Sequence, residues 1–134
     1  MKYTYAPDIQ VIAEEVSRTL FPHVKIDRVK CYRSYGSVSR GTIARCHTIG
    51  KLMQEAMNVK AFYALEFLSS RFDKLNSEDQ IKTIIHELMH IPKTFGGGFR
   101  QHDFVCEDNI DLFYKTYISK KISSYKLGKS WKYG

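Results

Sequence analysis

Hydrophobic and polar positions along this chain follow two periods, and the changes from one to the other mark its elements. From Pro7 to Leu20 the apolar residues Ile9, Val11, Ile12, Val16 and Leu20 recur near helical spacing, with Glu14, Glu15 and Arg18 between them. That pattern predicts a helix opened by Pro7 and Asp8. Residues 24–33 (VKIDRVKCYR) alternate and are rich in strand formers, so they predict a strand. A polar turn region at Gly36, Ser37, Ser39 and Gly41 separates it from a second strand over residues 42–48. Lys51–Met57 predicts a short helix stopped at Asn58. Residues 60–69 (KAFYALEFLS) are dense in aromatic and apolar residues without clean alternation, which predicts a strand covered on both faces.

Ser77 followed three residues later by Gln80 has capping-box spacing, and acids occupy the first turn, where the helix dipole favours them. A helix is predicted from Glu78 to His90 or Ile91, ended by Pro92. A Gly-rich loop fills residues 93–101, and Asp103–Lys121 predicts a last helix. Together these elements predict an α+β single domain over residues 1–121. A small sheet packs against the 78–91 helix and the C-terminal helix, and residues 122–134 form a basic tail.

Composition alters this picture little. A chain of 134 residues is long enough to bury a core, and no apolar run approaches the roughly 20 residues of a membrane span. The N-terminus lacks the apolar stretch of a signal peptide, so the expected address is cytoplasmic, with no membrane partner. Cys31, Cys46 and Cys106 form no CxxC pair. Cys31 and Cys46 would face each other across a hairpin turning near Val38 and Ser39, and reduced thiols are the expected state in a cytosol.

Charge matters more. The net +7 is uneven: residues 25–51 hold seven Lys/Arg against one acid, residues 115–134 hold six Lys and no acid, and residues 52–111 hold ten acids against six bases. The basic segments 25–51 and 115–134, with Tyr32, Tyr35, Tyr125, Trp131 and Tyr133 among or near them, suit a nucleic-acid partner. A basic tail folding over an acidic cleft to keep it latent is the other reading of the same asymmetry.

The strongest chemical signal is His86-Glu87-Leu88-Met89-His90. Ile81, Ile84, Ile85 and Leu88 give the helix an apolar face, while His86 and His90, four apart, stack on one side of it. Two imidazoles at that spacing reach one metal ion, and Glu87 can approach a water beside it without being a ligand. Imidazole donors suit zinc. A catalytic zinc site needs a third protein ligand and an open position. His102 is favoured, returned by the sharp turn that Gly96, Gly97 and Gly98 permit, with Glu107 as the alternative. Asp103, Asp108 or Asp111 would accept a ligand imidazole N–H. Tyr114, Tyr63, His47 and Arg100 are the candidate donors to the oxygen that becomes negative during hydrolysis.

The stretch HELMHIPKTFGGGFRQH resembles a metallopeptidase family of archaea, bacteria and phages whose members share HELxHIP, a Gly-Gly loop and a following histidine. The likeness extends through RSYGSVSRGTIARCHTI and ALEFLSSRFDKL, over roughly residues 30–105. It implies a compact zincin domain, with His86, His90 and His102 as zinc ligands and Glu87 as general base. The implied activity is a zinc metalloendopeptidase acting on protein or peptide substrates, with residues 60–69 as the edge strand that pairs with them. The distant third histidine is also similar to SprT-like proteases, which act on DNA-bound proteins. By that analogy the alternative is a nucleic-acid-associated metal-binding protein, or a non-catalytic zinc module. The metzincin pattern is not met, because Lys93 and Gly96 stand where its glycine and third histidine would be.

Overall fold

The computed structural model describes residues 1–133, with side chains described as far as Tyr125. The chain is α+β, with helices packed on one face of a four-stranded sheet. Strand β1 (Lys2–Tyr5) leads into helix α1 (Pro7–Leu20), and a 3-10 turn at Ile26–Arg28 precedes β2 (Val29–Tyr35). Then follow β3 (Ala44–Thr48), α2 (Lys51–Met57), β4 (Tyr63–Leu68), the single turn α3 (Ser69–Phe72), α4 (Ser77–Met89) and α5 (Glu107–Tyr133). The residues assigned from sequence to a tail begin inside α5, which continues past Lys121. The side chains of residues 126–134 lie outside the described residues.

The strands lie in the order β1-β2-β4-β3, with β2 and β4 parallel and both outer pairs antiparallel. Two sequence expectations change here. β2 and β3 do not form a hairpin, because β4 is inserted between them. Cys31 and Cys46 both register on Leu65, from opposite sides of β4. Two strand spacings put them about 9–10 Å apart, beyond the reach of a disulfide, and all three cysteines are free thiols. β4 is the interior strand, with Tyr63, Leu65 and Phe67 fully buried, so the edge near α4 is β3. Poor alternation in residues 60–69 reflected burial on both faces, and a buried strand cannot also be an edge.

α1 buries Ile9, Ala13 and Val16 at spacings of four and three, while Val11 is 63% exposed on the outer side. Gln10 is the polar member of the buried face. Its Nε2 donates to the Val29 carbonyl (2.8 Å) and its Oε1 accepts from the Cys31 N–H (2.8 Å). β1 has already left β2 at this point, so the side-chain amide continues the ladder where no strand remains. Gln10→Leu keeps the volume but strands two buried backbone groups. It is expected to cost about 2–4 kcal/mol, read as a lower urea midpoint at unchanged slope.

The other tie between α1 and the sheet is ionic. Arg33 forks onto Asp8 (2.7 and 2.9 Å) and also meets Asp73 just beyond α3. The Arg33 hydrogen bond holds the Asp8 carboxyl below its ordinary 3.8. A depressed carboxyl stabilises the fold above its unfolded value and loses that contribution as pH falls toward the folded value. Asp8→Asn is therefore expected to lower the thermal midpoint modestly at pH 7 and to match the parent at pH 2–3, approximately where both carboxyl states are protonated. Thermal melts at the two pH values check this.

Helix α4 begins one residue earlier than the capping-box reading implies. Asn76 is the N-cap, its Oδ1 accepting from the Asp79 N–H at 2.8 Å, while Gln80 instead donates to the Phe72 carbonyl. Ile84, Ile85, Leu88 and Met89 are buried against the sheet and α5. The last helix starts at Glu107 rather than Asp103, because residues 101–106 form turns that close back onto Gln101. Its Tyr117 is 1% exposed and donates from its hydroxyl to Glu15, which docks α5 on α1. Among the described residues no helix is long and apolar enough to cross a membrane.

Candidate metal centre

α4 carries His86 and His90 on its last turn and its C-cap, both half-buried. After Ile91 and Pro92 the chain turns back on itself, and that return is fixed by particular contacts. The Arg100 N–H donates to the His90 carbonyl at 2.7 Å. Gly97 takes φ +102°, and its N–H donates to the Tyr63 hydroxyl at 3.0 Å, which in turn donates to the Gly98 carbonyl at 2.8 Å. From α2, the Gln54 amide donates to the carbonyls of Ile49 (2.7 Å) and Gly96 (3.0 Å). Phe95, also at positive φ, packs edge-on against the Tyr63 ring.

The loop delivers His102. The ligand-capable atoms of His86, His90 and His102 lie within 4.8 Å of one another. His90 Nδ1 lies 3.0 Å from the Arg100 carbonyl. A carbonyl only accepts, so Nδ1 carries the proton and Nε2 keeps its lone pair for a cation. Burial pushes the pKa values of His86 and His90 down, with neighbouring imidazoles adding to the effect, which favours the neutral form that binds metal.

Glu87 is 5% exposed beside this cluster, and with no cation next to it burial pushes its carboxyl up to about 7. It opens onto a cleft of about 440 Å³. β3 forms one wall through Ala44, Arg45 and Cys46, and Phe99, Arg100 and Gln101 form the other. Cys46 turns toward Glu87, and burial holds its thiol protonated.

The remaining sequence candidates fall elsewhere. Glu107 lines a neighbouring cavity together with His86 but is not part of the three-histidine cluster. For His90 the ring N–H acceptor is the Arg100 carbonyl. Asp103 accepts from the Phe104 N–H, Asp111 pairs with Lys82 at 3.0 Å, and among the described residues no contact joins Asp108 to the rings of His86, His90 or His102. Tyr63 is buried under the loop. His47 lies on the opposite sheet face, bonded to Glu66 at 2.8 Å, and Tyr114 carries Lys82 over its ring. Only Arg100 of the four proposed oxygen donors lines the cleft.

The cleft is not acidic, contrary to the charge reading. Among the described residues Glu87 is the only acid lining it, against Arg45 and Arg100. The basic 25–51 segment is also partly spent internally: Arg33 and Arg45 are in ion pairs, and Arg28 bonds the Ala61 carbonyl and lies over Phe95. Sequence reasoning missed Gln54 and the structural use of Tyr63, and nothing in their local patterns signals a loop forty residues away in sequence.

An α+β domain that gathers three imidazoles around an open cleft, with a buried carboxyl at its floor, has the form of a metal-dependent hydrolase. The chain belongs to the family described as Putative phage metallopeptidase, whose model matches residues 1–122. That family implies a metal. No curated protein and no solved structure matches the chain.

Proposed function

We propose that the protein is a zinc-dependent endopeptidase in which His86, His90 and His102 hold the metal and Glu87 is the general base. One observation carries this reading: three imidazoles converge beside a buried glutamate on a cleft bordered by an unpaired strand edge. The donor set fits zinc in number and type, and the Arg100 carbonyl already fixes one ring in the ligating tautomer. When bound, the ion supplies a Lewis acid that acidifies water and polarises a carbonyl at neutral pH.

The chain's own residues supply the rest. An extended peptide pairs with the free edge of β3, which lies along the cleft, and this brings a backbone carbonyl over the three histidines. Glu87 takes a proton from the attacking water at its carboxylate oxygen. It then delivers that proton to the leaving nitrogen as the C–N bond breaks. Ala44 and Cys46 on one side and Phe99 on the other line the cleft with apolar surface for the peptide.

Protein carrying one zinc per chain is expected to cleave an unfolded substrate such as casein, to lose activity to a chelator and to regain it with added zinc. Zinc-loaded protein that leaves casein and short peptides intact would overturn the assignment.

A further inference from the structure

The cleft's outer wall holds a cation without a counter-charge. Arg45, on the β3 side, is matched by Glu66 at 3.1 Å. Arg100 is not matched: its guanidinium carbon lies over the Phe104 ring, 3.4 Å from the centroid, and among the described residues no acid or carbonyl bonds its side chain. Stacking one face on an aromatic ring leaves the N–H edge of the fork free, and that edge is built to bond a carboxylate through two parallel hydrogen bonds. The position is fixed relative to the histidines. Arg100 is held to His90 by its own N–H and its own carbonyl, and it lies two residues before His102.

We infer that Arg100 is a specificity residue that binds a substrate carboxylate close to the scissile bond, so that the cleft selects acidic peptide segments. This rests on the peptidase reading. The charge balance agrees: Glu87 is the sole acid lining the cleft and lies on its floor as the base. A lysine or arginine side chain placed along the outer wall would meet Arg100 and no partner. The same fork binds an Asp or Glu side chain inside a peptide or a terminal carboxylate. The first source gives an endopeptidase with acidic preference, the second an enzyme that trims chain ends.

The test uses the full chain loaded with zinc. Matched fluorogenic peptides carry Glu, Gln or Lys at each position flanking the bond, with the C-terminus amidated or free. At one position, Glu over Gln is expected to raise kcat/KM about tenfold or more, mainly through KM and more strongly at low salt. Preference for the free terminus at a fixed distance, with no side-chain effect, would identify the second source. In Arg100→Gln the Glu/Gln ratio is expected to collapse to about one, and Arg100→Lys keeps part of it. Zinc content and circular dichroism confirm that the variants remain folded. A Glu/Gln ratio near one in the parent together with no preference for a free terminus, or a preference left undiminished in Arg100→Gln, would overturn the inference while leaving the peptidase assignment standing.

Binding separates the opposite case. Zinc-loaded Glu87→Gln is titrated with the same labelled peptides by fluorescence anisotropy. Arg100-dependent binding of the acidic peptide without any cleavage by the parent would sink the peptidase reading and keep the carboxylate site. Neither binding nor cleavage would remove both.

Discussion

Glu87→Gln is expected to leave the zinc content at one per chain and to lower kcat on peptides by about 10²–10⁴-fold, the range for losing a positioned general base. The reasoning is local. Glu87 belongs to none of the three ligand side chains, and its replacement has the same shape, so neither the cluster nor the packing against Cys46 changes volume. An amide cannot take a proton from water at neutral pH. The two measurements, metal content by atomic absorption and turnover by peptide fluorescence, must separate. Loss of metal in the variant would make Glu87 part of the ligand set. Retained turnover would leave the proton transfer without an owner.

Gly97→Ala is the second large effect. A Cβ at Gly97 would lie 2.6 Å from the Ile49 carbonyl oxygen and 2.3 Å from Gln54 Nε2, at a φ of +102° that side chains disfavour. The amide of Gln54 can swing away, but the Ile49 carbonyl belongs to the backbone between β3 and α2 and cannot. The loop must lift, and with it go the Tyr63 hydrogen bonds and the position of His102. Zinc affinity is expected to fall at least about 100-fold, a loss of roughly 3 kcal/mol at ~1.4 kcal/mol per tenfold. Chelator competition measures it, and a thermal midpoint close to the parent in metal-free protein would show that the damage is confined to the site. Unchanged zinc affinity would mean that the loop adapts and that His102 does not depend on this approach.

Much of the candidate site was legible because it sits on one helix. The i, i+4 spacing fixes which way His86 and His90 point whatever surrounds them, and an apolar stripe on the other side leaves one orientation for α4. His102 was reachable by elimination, as the only histidine downstream. Its supports were not, since Tyr63 and Gln54 act across the fold. The fold class followed from element types, but strand order did not. A short exposed strand such as Lys2–Tyr5 carries little pattern of its own and exists because β2 offers it a partner. The insertion of β4 between β2 and β3 is likewise a tertiary choice, and it decided both the state of the cysteines and which strand presents an edge. Charge summed along segments does not distinguish residues paired within the protein, such as Arg33, Arg45 and Asp111, from those that face outward.

The inserted strand also sets an order of events. β2 pairs in parallel with β4, joining Val29 to Tyr63, and β3 has no partner until β4 arrives. Only the β1–β2 pair can therefore form before β4 has emerged as far as Leu68, and β3 waits as a lone strand until then. Pairings this distant carry a loop-closure cost before any contact offsets it, so docking of β4 should limit the folding rate. His102 lies beyond these strands, and its side chain is not part of the buried core, which Val105 and Tyr117 complete after it. Such a chain folds first and takes up its metal second, and zinc concentration should alter how long the folded state lasts far more than how quickly it forms.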